Sequence, residues 1–343
     1  MMILKEHLSN KKILFLSVQT FNLEVEIKNK LQEFGAQVTY YDERPANNNF
    51  IKGIIRLNRS LVEKIIDKYY KKILSEIADK NYDYLFVNRG EIVPEFFLQE
   101  LRNTQPNCQF IFYTWDSFAN HAHPITILKY FDRKLTFDPQ DAILYKINFR
   151  PLFFLDAFKN LTHIPTKYDI LFLGTAHSDR YKISSLIKKW ALNNNLICFC
   201  YYYMHGRLVY FFKKIFDKTF KEFKYSQLSF KSLKVEQIVE LYQQSNIILD
   251  INHPFQKGLT MRTFEAIGAK RKLITTNKEI AKYPFYNEND FLIIDRNDIK
   301  LNLDFFKDNY LTLDSKLYEK FSLEGWLFNI FVDVEESFWN KCT

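Results

Sequence analysis

An alternation along the chain limits the fold more than any other feature. Short apolar runs of strand length, at residues 12–18, 37–41, 84–87, 109–114 and 134–137, are separated by stretches with helical spacing at 22–34, 61–77 and 94–102. Gly35 stands where a helix C-terminal cap is wanted, and Pro94 stands at a helix start. Runs that are apolar throughout suit parallel strands, because crossover helices cover both faces of such a sheet. Repeated strand–helix units therefore specify α/β architecture with a doubly wound parallel sheet.

The scheme restarts at 169-DILFLGTAHSDRYK-182, after a crossing at 149–168 that contains two prolines. A strand runs into a turn with Gly174, then a polar loop with Ser178 and Arg180, then a helix at 181–192. Strands are expected at 196–202, 247–251, 272–275 and 290–294, and helices at 235–243 and 263–269. The chain closes with an aromatic helix-like stretch at 323–339. A chain of 343 residues has length for two cores of ordinary size. Two Rossmann-like domains are expected.

Composition removes several classes of function. With 47% hydrophobic and 26% charged residues the chain reads as a soluble globular protein. No run of 18 apolar residues is present, and the first residues lack the apolar core of a signal peptide, so a cytoplasmic location is expected. The four cysteines form no C-x-x-C pair, and Cys198 and Cys200 fall on one face of a strand, which reads as buried free thiols in a reducing compartment. Neither half contains G-x-G-x-x-G or a P-loop. The net charge of +8 favours an anionic partner. No nucleic-acid-binding module surrounds the basic residues, so no nucleic-acid partner is expected. His121 and His123 lack a third ligand, and neither a metal nor a cofactor is expected.

Two groups of residues carry candidate chemistry. The first lies in 244–277, where a strand passes through a polar loop into a short helix and on to a second strand. The loop and helix start hold Asn252, His253, Lys257, Gly258, Thr260, Met261, Arg262 and Thr263. A helix N-terminus presents unpaired N–H groups and partial positive charge, which suits a diphosphate, and Lys257 and Arg262 add full charges. Glu265, one turn in, is placed to accept hydrogen bonds from sugar hydroxyls. The Gly174 turn lets backbone approach phosphates, with Arg180 as a bidentate partner. The second group lies at the strand ends of the first half: Ser17, Gln19, Arg44, Arg89, Glu91, Asp116, Ser117 and Asp138. Ligands of doubly wound sheets bind beyond those ends.

The segment GLTMRTFEAIGAKRKLITTN (258–277) resembles the donor-binding segment of GT-B glycosyltransferases, closest to the CgeB-like group and related family-1-type enzymes. The resemblance implies two Rossmann-like domains facing a cleft: 1–160 for the acceptor, 161–320 for a nucleotide-sugar, and a C-terminal helix at 321–343 returning to the first. It places Glu265 on the ribose or donor sugar, and Gly258, Thr260, Met261 and Arg262 around the diphosphate. Many of these enzymes carry a second Glu eight positions before Glu265, where this chain has Lys257. The segment 113-YTWDSFANHAH-123 is similar to a Y-x-x-D-x stretch of the same group, which implies that Asp116 lies near the acceptor; since Asp, Glu or His can take the acceptor proton, Asp116, Glu91 and His121 are the candidate catalytic bases. The implied activity moves a sugar from a nucleotide-sugar co-substrate to a saccharide or lipid-linked acceptor, in bacterial surface-polysaccharide, capsule or lipopolysaccharide assembly. A sugar-nucleotide epimerase or a glycerol-phosphate-type transferase of the same architecture, and a non-catalytic sugar-nucleotide-binding protein, are the alternatives.

One stretch stands outside this scheme. In 204–225, Phe212, Ile215, Phe216, Phe220 and Phe223 recur at helical spacing among Lys213, Lys214, Lys218, Lys221 and Lys224. Such a helix either lies on an anionic membrane surface or packs in the second domain with a solvated lysine face.

Overall fold

The computed structural model describes residues 2–45, 62–159, 161–162, 164–217 and 220–343. It forms two compact units, Met1–Pro151 with Leu323–Lys341, and Leu152–Ser322. Each is built on one six-stranded parallel sheet, the two Rossmann-like halves of a GT-B chain.

The first unit contains β1 (Lys12–Ser17), β2 (Gln37–Asp42), β3 (Tyr84–Asn88), β4 (Gln109–Thr114), β5 (Arg133–Thr136) and β6 (Asn148–Phe149), in the order β2-β1-β3-β4-β5-β6. All five residues of β3 are buried, as a central strand covered on both faces requires. The helix Leu23–Glu33 ends at Gly35, whose φ of 88° is open to glycine and whose N–H reaches the Gln32 carbonyl at 2.9 Å. The helix Glu63–Ile77 buries Ile66, Tyr70, Ile73 and Ile77, one stripe at helical spacing. The expected start of that helix, residue 61, lies outside the described residues. The sequence reading passed over the helix Pro139–Tyr145, which the Asp138 carboxylate caps by accepting from the Gln140 and Asp141 N–H groups.

The aromatic C-terminal stretch belongs to this unit. The helix Leu323–Phe331 lays Trp326 edge-on against Tyr113, with ring centroids 4.9 Å apart, and Phe331 against Tyr84 at 5.3 Å. Arg133 donates to the Ile330 carbonyl at 2.7 Å. Trp339 stacks over the buried Arg150 guanidinium, 4.3 Å from the ring centre.

The second unit contains β7 (Tyr168–Thr175), β8 (Cys198–Tyr203), β9 (Leu228–Ser229), β10 (Ser245–Asp250), β11 (Lys272–Thr275) and β12 (Phe291–Ile293), in the order β12-β11-β10-β7-β8-β9. The Cys198 and Cys200 sulfurs lie 3.8 Å apart as free thiols, with Cys198 buried and Cys200 half-buried. No helix among the described residues is long and apolar enough to cross a membrane.

In both sheets the chain leaves a central strand to one side and later returns on the other. The reversal falls between β1 and β3 in the first unit and between β7 and β10 in the second. At such a point consecutive crossovers diverge and leave a crevice at the carboxyl ends of the strands.

The 204–225 stretch differs from the expectation of one continuous helix. The helix covers Arg207–Phe216 and stops at Asp217, and Phe220 and Phe223 are fully buried in the core. Helical spacing continued in the sequence past the point where the backbone turned inward. Lys218 lies outside the described residues.

Candidate functional site

In the second unit the sequence candidates converge on the β7/β10 reversal. Gly174 is the penultimate residue of β7, and Arg180 opens the helix Arg180–Asn193. The Arg180 guanidinium bridges the reversal: Nε donates to the Ile251 carbonyl at 2.8 Å and Nη1 to the Thr175 carbonyl at 3.1 Å. It lies directly on Gly174, where an added Cβ would sit 3.2 Å from Nη1 and 2.7 Å from the Phe172 ring. Glycine is needed there for the close approach of the cation. Both hydrogen-bond acceptors of Arg180 are neutral carbonyls. Burial lowers its pKa to about 10, and Arg262 and Arg296 push the same way against the attraction of Asp250.

Arg262 and Glu265 lie on the helix Met261–Gly268, which follows β10. The Arg262 guanidinium pairs with the Glu265 carboxylate and donates through Nε to the Leu173 carbonyl at 3.2 Å. Tyr242 donates to the same Glu265 oxygen at 2.9 Å. Burial works against the Arg262 charge, but Glu265 and Tyr242 more than offset it and raise its pKa. Glu265 is only 8% exposed, so one of its oxygens is committed inside the fold. Thr263 donates to the Asp250 carboxylate at 3.4 Å, and burial raises the Asp250 pKa despite the nearby Thr260, Arg180 and Arg262.

The loop between β10 and that helix is held from behind by side chains. Asn277 donates to the Lys257 carbonyl at 3.0 Å and to the Gly258 carbonyl at 3.3 Å, and Asn252 donates to the Gln256 carbonyl at 2.9 Å. Lys257 reaches Glu279 at 3.5 Å and remains near the surface. His253 faces His177 with ring centroids 5.8 Å apart. Burial, and then Arg180, lower His177 to about 2, so its ring is neutral at ordinary pH.

Sequence reasoning missed Arg296, Asp179 and Tyr242. Arg296 Nη1 grips both oxygens of Asp179 at 2.8 Å, and Nη2 bonds Asn252 and Thr276. Arg296 follows the last strand, 116 positions after Arg180, and only folding brings the two together. Arg180, Arg262 and Arg296 are close enough for each of the other two to depress the Arg180 pKa.

In the first unit the three candidate bases also come together. His121 Nε2 lies 3.2 Å from Asp116 Oδ2, and His121 Nδ1 lies 3.9 Å from Glu91 Oε1. Arg89 binds the cluster, with Nη2 at 3.1 Å from Asp116 Oδ2 and donating to His121 Nε2 at 2.7 Å. Arg44 pairs with Glu91. Burial pushes the Glu91 and Asp116 pKa values up. Arg89, Arg44 and His121 nonetheless hold Glu91 below the usual carboxylate range, and His121 and Arg89 do the same for Asp116. The three side chains differ in reach: Asp116 is 28% exposed, His121 17% and Glu91 4%. Glu91 faces inward.

The backbone at the end of β3 is strained. Arg89 has a φ of 104°, sparsely populated outside glycine, at a cost on the order of 1–3 kcal/mol. The side chain of Asn88 is fully buried and, among the described residues, makes no hydrogen bond through its oxygen or its nitrogen. Glu43 holds the turn by accepting from Gly90 N at 2.8 Å and Glu91 N at 2.7 Å. Glu43 had no signal in the sequence, since its role depends on β2 and β3 flanking β1.

Burial, reinforced by Glu91, pushes the Glu43 carboxyl up to about 8, against the two backbone N–H groups and Arg89. A carboxyl whose folded pKa lies above its unfolded one stabilises the fold below the unfolded value, near 4.3, and loses that stabilisation as pH rises toward 8. The stability of the protein relative to Glu43→Gln should therefore decline between pH 5 and pH 8, by up to about 1.4 kcal/mol per pH unit. Urea melts of both proteins across that range check the slope, and a pH-independent difference would contradict it.

Among the described residues no group of three or more His, Cys, Asp or Glu side chains is placed to hold a metal ion. No protein-family model matches the sequence, and no curated protein matches it. Solved structures do match in fold. The N-terminal domain of Candida albicans trehalose-6-phosphate phosphatase superposes with a TM-score of 0.51 at 11% identity, over 97% of this chain and 95% of that one. A glycosyltransferase from Rickettsia africae gives 0.46 at 14% identity over 95% of both chains. A Methanocaldococcus jannaschii UDP-GlcNAc 2-epimerase, solved with UDP-GlcNAc and UDP, gives 0.48 at 9% identity over 90% of this chain and 98% of that one. The likeness at 0.51 extends over nearly the whole chain and concerns the fold alone.

Proposed function

We propose that the chain is a glycosyltransferase whose second unit holds a nucleotide-sugar by its diphosphate. The observation that carries this reading is Arg180. It is a guanidinium at the strand reversal, hydrogen-bonded among the described residues only to backbone carbonyls, with Arg262 and Arg296 beside it and Asp250 attracting it. Concentrated positive charge on fixed elements favours a group that gains negative charge as a bond breaks. The acceptor hydroxyl oxygen attacks the anomeric carbon. The bond from that carbon to the diphosphate oxygen breaks, and the nucleoside diphosphate leaves with the electron pair. The arginines neutralise the leaving charge where other enzymes use a metal ion.

The acceptor proton goes to Asp116, the most exposed of the three clustered groups, while Arg89 and His121 orient it. Glu91 fixes Arg44 and Arg89 behind it. Gly258, Thr260, Met261 and Thr263 shape the helix start, and His253 and Lys257 flank it. Glu265 contributes mainly by holding Arg262. The acceptor is a saccharide or lipid-linked hydroxyl in surface-polysaccharide or lipopolysaccharide assembly, and the enzyme works in the cytoplasm.

A melting-temperature screen with UDP, TDP, GDP, CDP and ADP tests the reading. At a hundredfold excess over its Kd, the cognate diphosphate should stabilise the protein by about 2.7 kcal/mol. Failure of every diphosphate to raise the melting temperature would refute it. Sugar nucleotides of the responding base then distinguish transfer from interconversion of epimers.

A further inference from the structure

The helix Arg207–Phe216 carries its apolar stripe on the wrong side for a packed helix. Leu208, Phe211, Phe212, Ile215 and Phe216 fall at i, i+3, i+4, i+7 and i+8, one face of a helix. All are exposed, from 55% at Phe211 to 78% at Phe216. Tyr210 is the one buried residue of the helix. The lysines explain the orientation. Lys214 donates to the Phe223 carbonyl at 2.9 Å, and the Lys213 ammonium stands 5.5 Å over the buried Phe220 ring. These two contacts tie the polar side of the helix to the body of the unit and turn the aromatic side outward.

We propose that this face docks the protein on an anionic phospholipid surface. Three observations select that occupant. First, charge is complementary to it: 204–225 contains six lysines and arginines against two carboxylates, and Arg207, Lys221 and Lys224 are exposed around the stripe. Such cations are attracted to acidic headgroups, whereas lysine is depleted from protein–protein interfaces. Second, the stripe is short. A ten-residue helix is about 15 Å long, and one face of it falls well below the roughly 800 Å² per partner that a stable protein interface buries. Third, Phe, Leu and Ile on one face with basic residues alongside is the composition of helices that lie in the plane of a lipid interface.

The helix also stands beside the proposed diphosphate site. Lys213 and His205 act on His177 together with Arg180. Docking there holds the donor-binding loops close to the surface in which a lipid-linked acceptor resides. The docking itself does not depend on the glycosyltransferase reading.

Flotation of the full-length protein with vesicles tests this. With 30 mol% phosphatidylglycerol in phosphatidylcholine the protein should float, and with phosphatidylcholine alone it should float much less. Phe212→Ser combined with Phe216→Ser should weaken binding to the anionic vesicles by about tenfold or more, because two exposed apolar side chains lose their insertion. Lys221→Glu with Lys224→Glu should weaken it at low salt and have little effect at high salt. Both variants change exposed residues, so an unchanged melting temperature and an unchanged diphosphate-induced shift confirm the fold and keep this test separate from the donor site. Undiminished flotation of the Phe212/Phe216 variant overturns the proposal. So does a protein that ignores anionic vesicles but elutes as a dimer that the same variant dissociates, since the occupant is then a second copy.

Discussion

Arg180→Ala should lower kcat/KM for sugar transfer about 10²–10³-fold, the range seen when one pre-organised donor to a developing anion is removed. It should also abolish most of the melting-temperature shift produced by the cognate nucleoside diphosphate. Arg262 is neutralised by Glu265 and Arg296 by Asp179, whereas Arg180 donates only to Thr175 and Ile251 carbonyls. Asp250 attracts it without a direct ion pair, so among the described residues Arg180 is the one of the three with no carboxylate hydrogen-bonded to it, and burial depresses its pKa. A diphosphate supplies a directly bonded counter-charge beyond the attraction of Asp250 and gains a fork of two N–H donors. Arg180→Lys keeps the charge without the fork and should recover only part of the loss. Removing Arg180 also removes a favourable partner of the buried Asp250, whose pKa should rise further. A variant with full kcat/KM and a full diphosphate shift would remove Arg180 from the site.

Asp116→Asn should reduce kcat by about 10²–10⁴-fold while leaving the diphosphate-induced shift intact, the pattern of a lost proton acceptor. Asparagine keeps the size of the side chain, and its one remaining oxygen keeps one of the two hydrogen bonds that Arg89 and Asn120 donate to separate Asp116 oxygens, so the fold should tolerate it. It cannot take a proton. Against burial, which raises it, the contact with His121 and then the ion pair with Arg89 hold the Asp116 pKa below the usual carboxylate range. The acid limb of the pH–rate profile should therefore lie below about 4, the ordinary carboxylate value. The base must be ionised to act, so activity persists above that limb and is lost as pH falls through it. Steady-state kinetics of the variant and the wild-type pH profile check both parts. A kcat within a few-fold of wild type would transfer the role to His121, the other group of the cluster that reaches solvent.

Much of the fold was legible in the sequence, because its elements are local. The apolar runs became β1, β3, β4, β7, β10 and β11, since a strand buried on both faces has no polar position to spare. The helix Glu63–Ile77 was legible because Ile66, Tyr70, Ile73 and Ile77 recur at the helical period. The helix Pro139–Tyr145 escaped notice because it is short and depends on its Asp138 cap more than on an apolar stripe. The basic aromatic stretch misled in the opposite sense. Phe212 and Phe220 keep one helical phase, but a change of chain direction near Asp217 exposes one and buries the other.

The sequence by itself determined the strand–helix alternation and its restart at 169. It also determined the residue types gathered near strand ends: Arg180 beyond β7, Arg262 and Glu265 beyond β10, Asp116 and His121 beyond β4. All of that is set by side-chain period and by turn chemistry within a few residues. Only the tertiary structure decided which charges cancel. Glu265 answers Arg262, Asp179 answers Arg296, and Glu91 answers Arg44, pairs that range from three to 117 positions apart. Charge compensation depends on distance in space and on burial, and neither is encoded in residue spacing. The sequence presents several arginines of equal standing, and among the described residues the fold leaves Arg180 as the one of the three at the β7/β10 reversal that is hydrogen-bonded only to neutral carbonyls.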